Sequence, residues 1–350
     1  MVDWSLAGQI ARFAAGSAGA TALDFDFERA AEEALGQVSG YAGLSLDGSV
    51  PPVREFSRAE WAEANLGLLA DLLDPVGARL DDRLGSAGPL AGPLKAAANA
   101  TLAAEAGLVM GYMSQRVLGQ YEVSLLQPET EPRLLFVTPN LDRAVTDLDV
   151  NRDSFLRWVV LHEVTHVLQF SGVPWLREHL GALLRDYLAT VEVRIERGAA
   201  GGLPSLPDPS AIVERFREGG LAALVQSREQ RRIMERIQCA MAVVEGYSEH
   251  VMDAVGAAVL PAYEGLREAM DARRRSRSAP ERILLRLLGL DQKLKQYELG
   301  KRFCDAVAAD GGSERLNVVW NAPTALPTLR ELESPKAWIG RLEVDPVAAV

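Results

Sequence analysis

Two histidines one helical turn apart, with an acid between them, are the residues of this chain best suited to chemistry. They are His162 and His166 in Trp158-Val-Val-Leu-His-Glu-Val-Thr-His-Val-Leu-Gln-Phe170, an HExxH pattern inside an apolar stretch. Positions four apart leave the same face of a helix, so both imidazoles can reach one divalent ion. Glu163 is turned about 100° aside, which puts its carboxylate next to that ion, placed to take a proton from an attacking water. The chain holds four histidines, and two of them lie in this one pattern; that concentration favours a metal site over a pair of packed core histidines. Zinc suits two imidazoles and a carboxylate. Non-haem iron takes the same donors, but seldom with the histidines spaced this way.

A catalytic zinc normally has three protein ligands and an open position for water. The extension that supplies a third histidine shortly after the pattern is missing, because Gln169 and Gly172 stand where Gly and His would be needed. A downstream acidic strip is the better source. Glu245, Glu249 and Asp253, in Val243-Val-Glu-Gly-Tyr-Ser-Glu-His-Val-Met-Asp253, are spaced by four and share one helix face. Three like charges in a row repel unless a cation or a histidine compensates them. The apolar neighbours Met241, Val243, Val244, Val251 and Met252 argue against a solvated acidic face. The strip leaves Glu245 and Glu249 open as ligands, with Glu249, Asp253 and His250 as alternative ligands or as acceptors that orient the imidazoles. Tyr247, His250 and Tyr297 are candidate donors to an oxyanion.

HEVTH followed later by EGYSEHV resembles the gluzincin pattern, in which HExxH on one helix is completed by a Glu from a second helix. The resemblance implies His162, His166 and Glu245 as zinc ligands and Glu163 as general base. It also implies a zincin-like core and an activity of the metallopeptidase type. In well-characterised gluzincins the third ligand often follows sooner, so an insertion of helices is expected here. More narrowly, the chain resembles a bacterial family of zincin-like hydrolases, some associated with deazaflavin-coenzyme biosynthesis. Val2-Asp-Trp4, Gly111-Tyr-Met-Ser-Gln-Arg-Val-Leu-Gly-Gln-Tyr121, Val137-Thr-Pro-Asn140 and the Glu245–Asp253 stretch carry that likeness.

The elements that position these groups are mostly helical. Asp153 or Ser154 is a plausible N-cap for the HExxH helix, and Gly172 with Pro174 ends it. Further helices are expected over 4–19, 24–35, 59–73, 94–118 and 175–196, and a long one over 227–259. Ser57-Arg-Ala-Glu60 reads as a capping box, and Asp74-Pro75 as the end of the helix it starts. Gly85–Pro93 and Gly198–Pro209 read as loops, and Arg273–Arg277 as a solvated basic loop. Gly111 and Gly119 suggest close helix packing or a cap, and Arg116 a partner for a buried carboxylate or a surface residue. The one clear strand, Arg133–Thr138, either offers an edge to an extended substrate or is a plain sheet strand. Helices over 282–288 and 291–307 are expected to cover the site, with Trp338 docking the tail. The expectation is therefore a mainly α fold with a small β-sheet. A helical part, 1–130, packs on a zincin-like metal-binding part, 131–350, or the two form a single compact unit.

Composition narrows the function. Forty-eight acidic against 37 basic residues give a net charge of −11, which argues against a nucleic-acid partner. Two cysteines make neither a disulfide framework nor a thiolate zinc site and fit a reducing cytoplasm. Met1-Val-Asp-Trp-Ser-Leu lacks a basic n-region, and Ala96–Met113 is too polar for a membrane span, so neither a signal peptide nor a membrane partner is expected. Hydrolysis of a peptide or of a small-molecule amide fits these residues equally. A zincin-fold binding or scaffold module is the rival from another class.

Overall fold

A computed structural model describes residues 2–17, 19–84, 91–127, 129–190, 227–275 and 290–344. Its described helices are α1 (Trp4–Ala15), α2 (Phe27–Ala42), α3 (Arg58–Leu84), α4 (Ala91–Ser114), α5 (Thr138–Leu148), α6 (Arg152–Gly172), α7 (Leu176–Thr190), α8 (Arg228–Val259), α9 (Tyr263–Arg275), α10 (Leu290–Asn317), α11 (Leu329–Glu333) and α12 (Pro335–Val344). Three short strands, β1 (Val53–Phe56), β2 (Gly119–Glu122) and β3 (Arg133–Val137), form one sheet in the order β1-β3-β2. β1 runs parallel to β3 and β2 antiparallel to it, with Tyr121 opposite Leu134.

β3 is the centre of this sheet, not an edge, so it cannot offer its backbone to a substrate. Leu134 and Phe136 pack into the layer of α2, α6 and α8, while Leu135 and Val137 face α1, α3 and α4. All four are fully buried, which is why the segment reads as a continuous apolar run. The sheet joins strands from both sides of residue 130, and α2 packs on the HExxH helix α6. The Val-Thr-Pro-Asn stretch has a structural task at the end of β3. Buried Asn140 donates to the Ser114 and Val117 carbonyls, each at 2.7 Å, and accepts from Arg58 Nε at 2.6 Å, pinning the end of α4 to α5.

The capping box at Ser57 forms in both directions, Ser57 N–H to Glu60 and Glu60 N–H to Ser57 Oγ. The helix it starts does not stop at Asp74-Pro75 but continues to Leu84, because a proline removes one N–H without ending a helix that its neighbours sustain. The expected 85–93 loop falls largely on residues outside the description, and α4 already begins at Ala91. Gly111 lies where a Cβ would meet Ala14 and the Ala11 carbonyl, so α1 and α4 touch there by backbone. Gly119 caps no helix; it opens β2. Arg116 lies over the Tyr112 ring, 3.4 Å from its centroid. Arg273–Arg275 finish α9, so they are not loop, while 276–277, the 198–209 segment and the 282–288 helix lie outside the described residues.

α6 is the central helix, buried on nearly every face. Its N-cap is Asn151, whose side chain accepts from Ser154 N–H at 2.9 Å, so the cap is neither Asp153 nor Ser154 but lies two residues before the first of them. α8 starts at Ser227 with a full capping box to Gln230 and crosses α10 at unusually close range. A Cβ on Gly246 would stand 2.2 Å from the Gly300 carbonyl carbon, and one on Gly300 would stand 1.8 Å from the Ala242 oxygen. A polar seam runs beside this crossing. His250 bridges Tyr41 Oη at 2.8 Å and Asp305 at 2.7 Å, and Lys301 reaches Asp305 at 2.7 Å and Asp253 at 3.1 Å. Burial alone would raise the Asp305 carboxyl; the hydrogen bonds from His250 and Lys301 outweigh it and hold the group below the usual range. Trp338 is fully buried, edge-on to Phe303, and donates to the Ala325 carbonyl at 2.7 Å, docking the tail.

The α8–α10 contact makes a stability prediction. Gly300→Ala should destabilise by about 3 kcal/mol, the upper end of overpacking costs, because its methyl meets backbone and not a movable side chain. Gly265→Ala, a helical glycine with nothing within 4 Å, should stabilise by about 0.5–1 kcal/mol. Denaturant unfolding of the two variants checks both signs.

Candidate metal centre

α6 and α8 lie antiparallel, as the bonds from Gln169 Nε2 to the Val244 carbonyl (2.9 Å) and from Ser154 Oγ to the Pro261 carbonyl (3.1 Å) show. That register brings Glu245 opposite the two histidines. His162 Nε2 and His166 Nε2 stand 3.2 Å apart, and each is 3.9 Å from Glu245 Oε2. Among the described residues these three form a group whose ligand atoms all lie within 4.8 Å of one another. Donors about 2.0–2.1 Å from a tetrahedral zinc stand about 3.3 Å from one another, so the trio is sized for such an ion with a slight closing of the carboxylate. The side chains of His162 and Glu245 are each 25% exposed, which leaves the centre open to solvent on one side.

The donor chemistry points the same way. Gln169 is fully buried, its amide N–H donating to Val244 and its Oε1 2.9 Å from His166 Nδ1. With the amide so oriented, Nδ1 carries the hydrogen and Nε2 keeps its lone pair. The Nε2 of His162, 3.2 Å away, faces that lone pair. A cation between them would be held by a lone pair from each ring, and the carboxylate of Glu245 adds negative charge for it.

Glu163 is buried beside the trio. Burial pushes its carboxyl up to about 7; His166 pulls it down, the negative charge of Glu245 pushes it up, and the Tyr121 N–H pulls it down. Its Oε2 accepts from that N–H at 2.9 Å, at the outer edge of β2. Gly119 provides the room, since a Cβ there would lie 2.8 Å from Glu163 Cγ and 3.0 Å from Oε1. The edge of a strand, a missing side chain and the HExxH helix together seat this acid.

The rest of the acidic strip turns elsewhere. Asp253 receives the Tyr263 hydroxyl, Lys301 at 3.1 Å and Arg267 Nε at 3.3 Å, and Glu249 lies 3.9 Å from Arg267 Nη2. At His166 Nδ1 the close acceptor is Gln169, with Ser248 Oγ at 3.5 Å, in place of the expected carboxylates. His250 belongs to the seam with Tyr41 and Asp305. Tyr247, buried and edge-on to Trp320, donates to Asn317 Oδ1 at 2.8 Å. Burial pushes its hydroxyl well above the ordinary tyrosine range, and its position on α8 makes it a packing residue. The Tyr297 side chain lies outside the description. Sequence reasoning missed Gln169, Gly119 and Tyr121. A glutamine three residues after the second histidine, on that histidine's face, was the available signal for the first; the other two had none, because their roles depend on strand pairing.

Among the described residues no helix is long and apolar enough to cross a membrane. A search of curated proteins finds no match. A crystal structure from Chloroflexus aurantiacus, described as "a putative hydrolase with a novel fold", is similar over 98% of this chain and 99% of that one, at 29% identity and a TM-score of 0.70. The model of the zincin-like metallopeptidases matches residues 2–339. With that match spanning almost its whole length, and with its histidines and distant glutamate converging as they do, the chain belongs to the zincin-like metallopeptidase family.

Proposed function

We propose that this protein is a zinc-dependent hydrolase that cleaves an amide bond, with His162, His166 and Glu245 holding the ion and Glu163 acting as general base. The convergence of two imidazoles and a carboxylate beside a buried acid carries this reading. When bound, zinc supplies Lewis acidity to an attacking water and to the substrate carbonyl. Glu163 takes the proton of that water and returns it to the departing amine, a shuttle suited to a carboxyl that burial pushes up to about 7, where it can both take and give a proton. The Tyr121 N–H fixes one carboxylate oxygen and leaves the other for the proton. Gln169 and Ser248 hold the His166 ring.

The sheet edge nearest the site favours a compact amide over a long extended polypeptide. β2 has four residues, and its Tyr121 N–H, which would otherwise be available to a peptide backbone, is bonded to Glu163.

Four outcomes test the reading. Metal analysis of purified protein should give one zinc per chain. Glu245→Gln should lower zinc affinity at least 10²-fold, whereas Glu249→Gln should keep one equivalent. Glu163→Gln should retain the metal and lose at least about 10²-fold in turnover on short peptides and N-acyl amides; a variant as fast as the parent removes Glu163 from the mechanism. Gly119→Ala should also keep its zinc but fall about tenfold or more in kcat with little change in KM, because its methyl displaces Glu163 and not the ligands.

A further inference from the structure

Gln169 is not one of the three candidate ligands, yet it meets both helices that carry them. Its Nε2 donates to the carbonyl of Val244, the residue directly before Glu245, at 2.9 Å. Its Oε1 lies 2.9 Å from His166 Nδ1. Both contacts are buried, and Gln169 has no exposed surface. A flipped amide would set its oxygen against the Val244 oxygen and its NH2 against Nδ1, so the α8 backbone decides which end faces the histidine. A protonated Nδ1 then leaves the lone pair on Nε2, the atom 3.9 Å from Glu245.

We infer that Gln169 is a positioning residue that locks His166 in its metal-binding tautomer only when α8 has docked, so that seating Glu245 and preparing His166 are one event. The backbone carbonyl on α8 orients the amide, and the amide orients the proton on the imidazole. Neither half of the lock is specific alone: an unoriented glutamine accepts or donates equally well, and a free imidazole holds its hydrogen on either nitrogen. The inference rests on the metal-centre reading for its purpose, and on geometry within this chain for its content.

Two measurements test it apart from turnover. In zinc-free parent protein at a pH where the imidazoles are neutral, long-range ¹H–¹⁵N spectra of the four histidines, assigned by removing them one at a time, should show His166 with its hydrogen on Nδ1. A hydrogen on Nε2 overturns the inference. Zinc affinity, measured by chelator competition, should fall 10- to 100-fold in Gln169→Met, which keeps the bulk and loses both hydrogen bonds. Gln169→Glu keeps an acceptor for Nδ1 but loses the donor to Val244, so its zinc affinity should stay within about threefold of the parent while its metal-free form melts several degrees lower. Equal zinc loss in both variants would mean that Gln169 only joins the helices, and the inference fails. If the parent binds no zinc, the metal reading fails, while the histidine spectrum still decides the tautomer.

Discussion

The centre exists only while α8 lies against α6 in one register. The histidines come from a single helical turn and need nothing beyond helix geometry to face the same way. Glu245 arrives from far along the chain, and a slip of one residue would turn it about 100° away. Two contacts fix that register and a third braces α8 from its other side. Gln169 binds the carbonyl before Glu245, Ser154 binds the Pro261 carbonyl at the far end, and the backbone crossing of Gly246 with Gly300 presses α10 onto the other side of α8. The Glu-Gly pair therefore joins two tasks at neighbouring positions, a ligand on one face and a contact only glycine permits on another.

Charge is arranged with similar economy. Three carboxylates spaced along one face of α8 would repel, and the structure separates them by partner. Glu245 faces the imidazoles, while Glu249 and Asp253 look toward Arg267, and Asp253 also meets Lys301 and Tyr263. Among the described residues, the carboxyls beside the metal position are thereby Glu245 and the buried Glu163. The two thiols stay out of this chemistry. Burial, aided by nearby acids, pushes Cys239 up to about 12, and burial pushes Cys304 higher still, so both remain protonated far from thiolate reactivity.

Much of this was legible in the chain itself, wherever the cause was local. The HExxH pattern, the capping box at Ser57 and the long α8 depend on residues a few positions apart, and each formed as read. Pro75 misled because a breaker was weighed without the helix around it. β1 and β2 escaped notice because four-residue strands carry almost no periodic signal and owe their existence to β3. The run from Arg133 was visible, but whether it was edge or centre depends on partners distant in the sequence. The acidic strip was read as needing compensation, and it has it. That Arg267 and Lys301 supply part of it depends on how α9 and α10 pack, which spacing on α8 does not encode.

Burial of β3 on both faces ties the molecule's energetics together. One side chain in two along this strand belongs to the layer that holds the histidines, and the alternate ones belong to the layer of α1, α3 and α4. An ion that binds only the folded arrangement contributes about 2.7 kcal/mol at a hundred times its dissociation constant. Because the two layers share a strand, that gain reaches helices that never approach the ion. A metal held at the centre would thus stabilise the N-terminal helices as well as the centre itself.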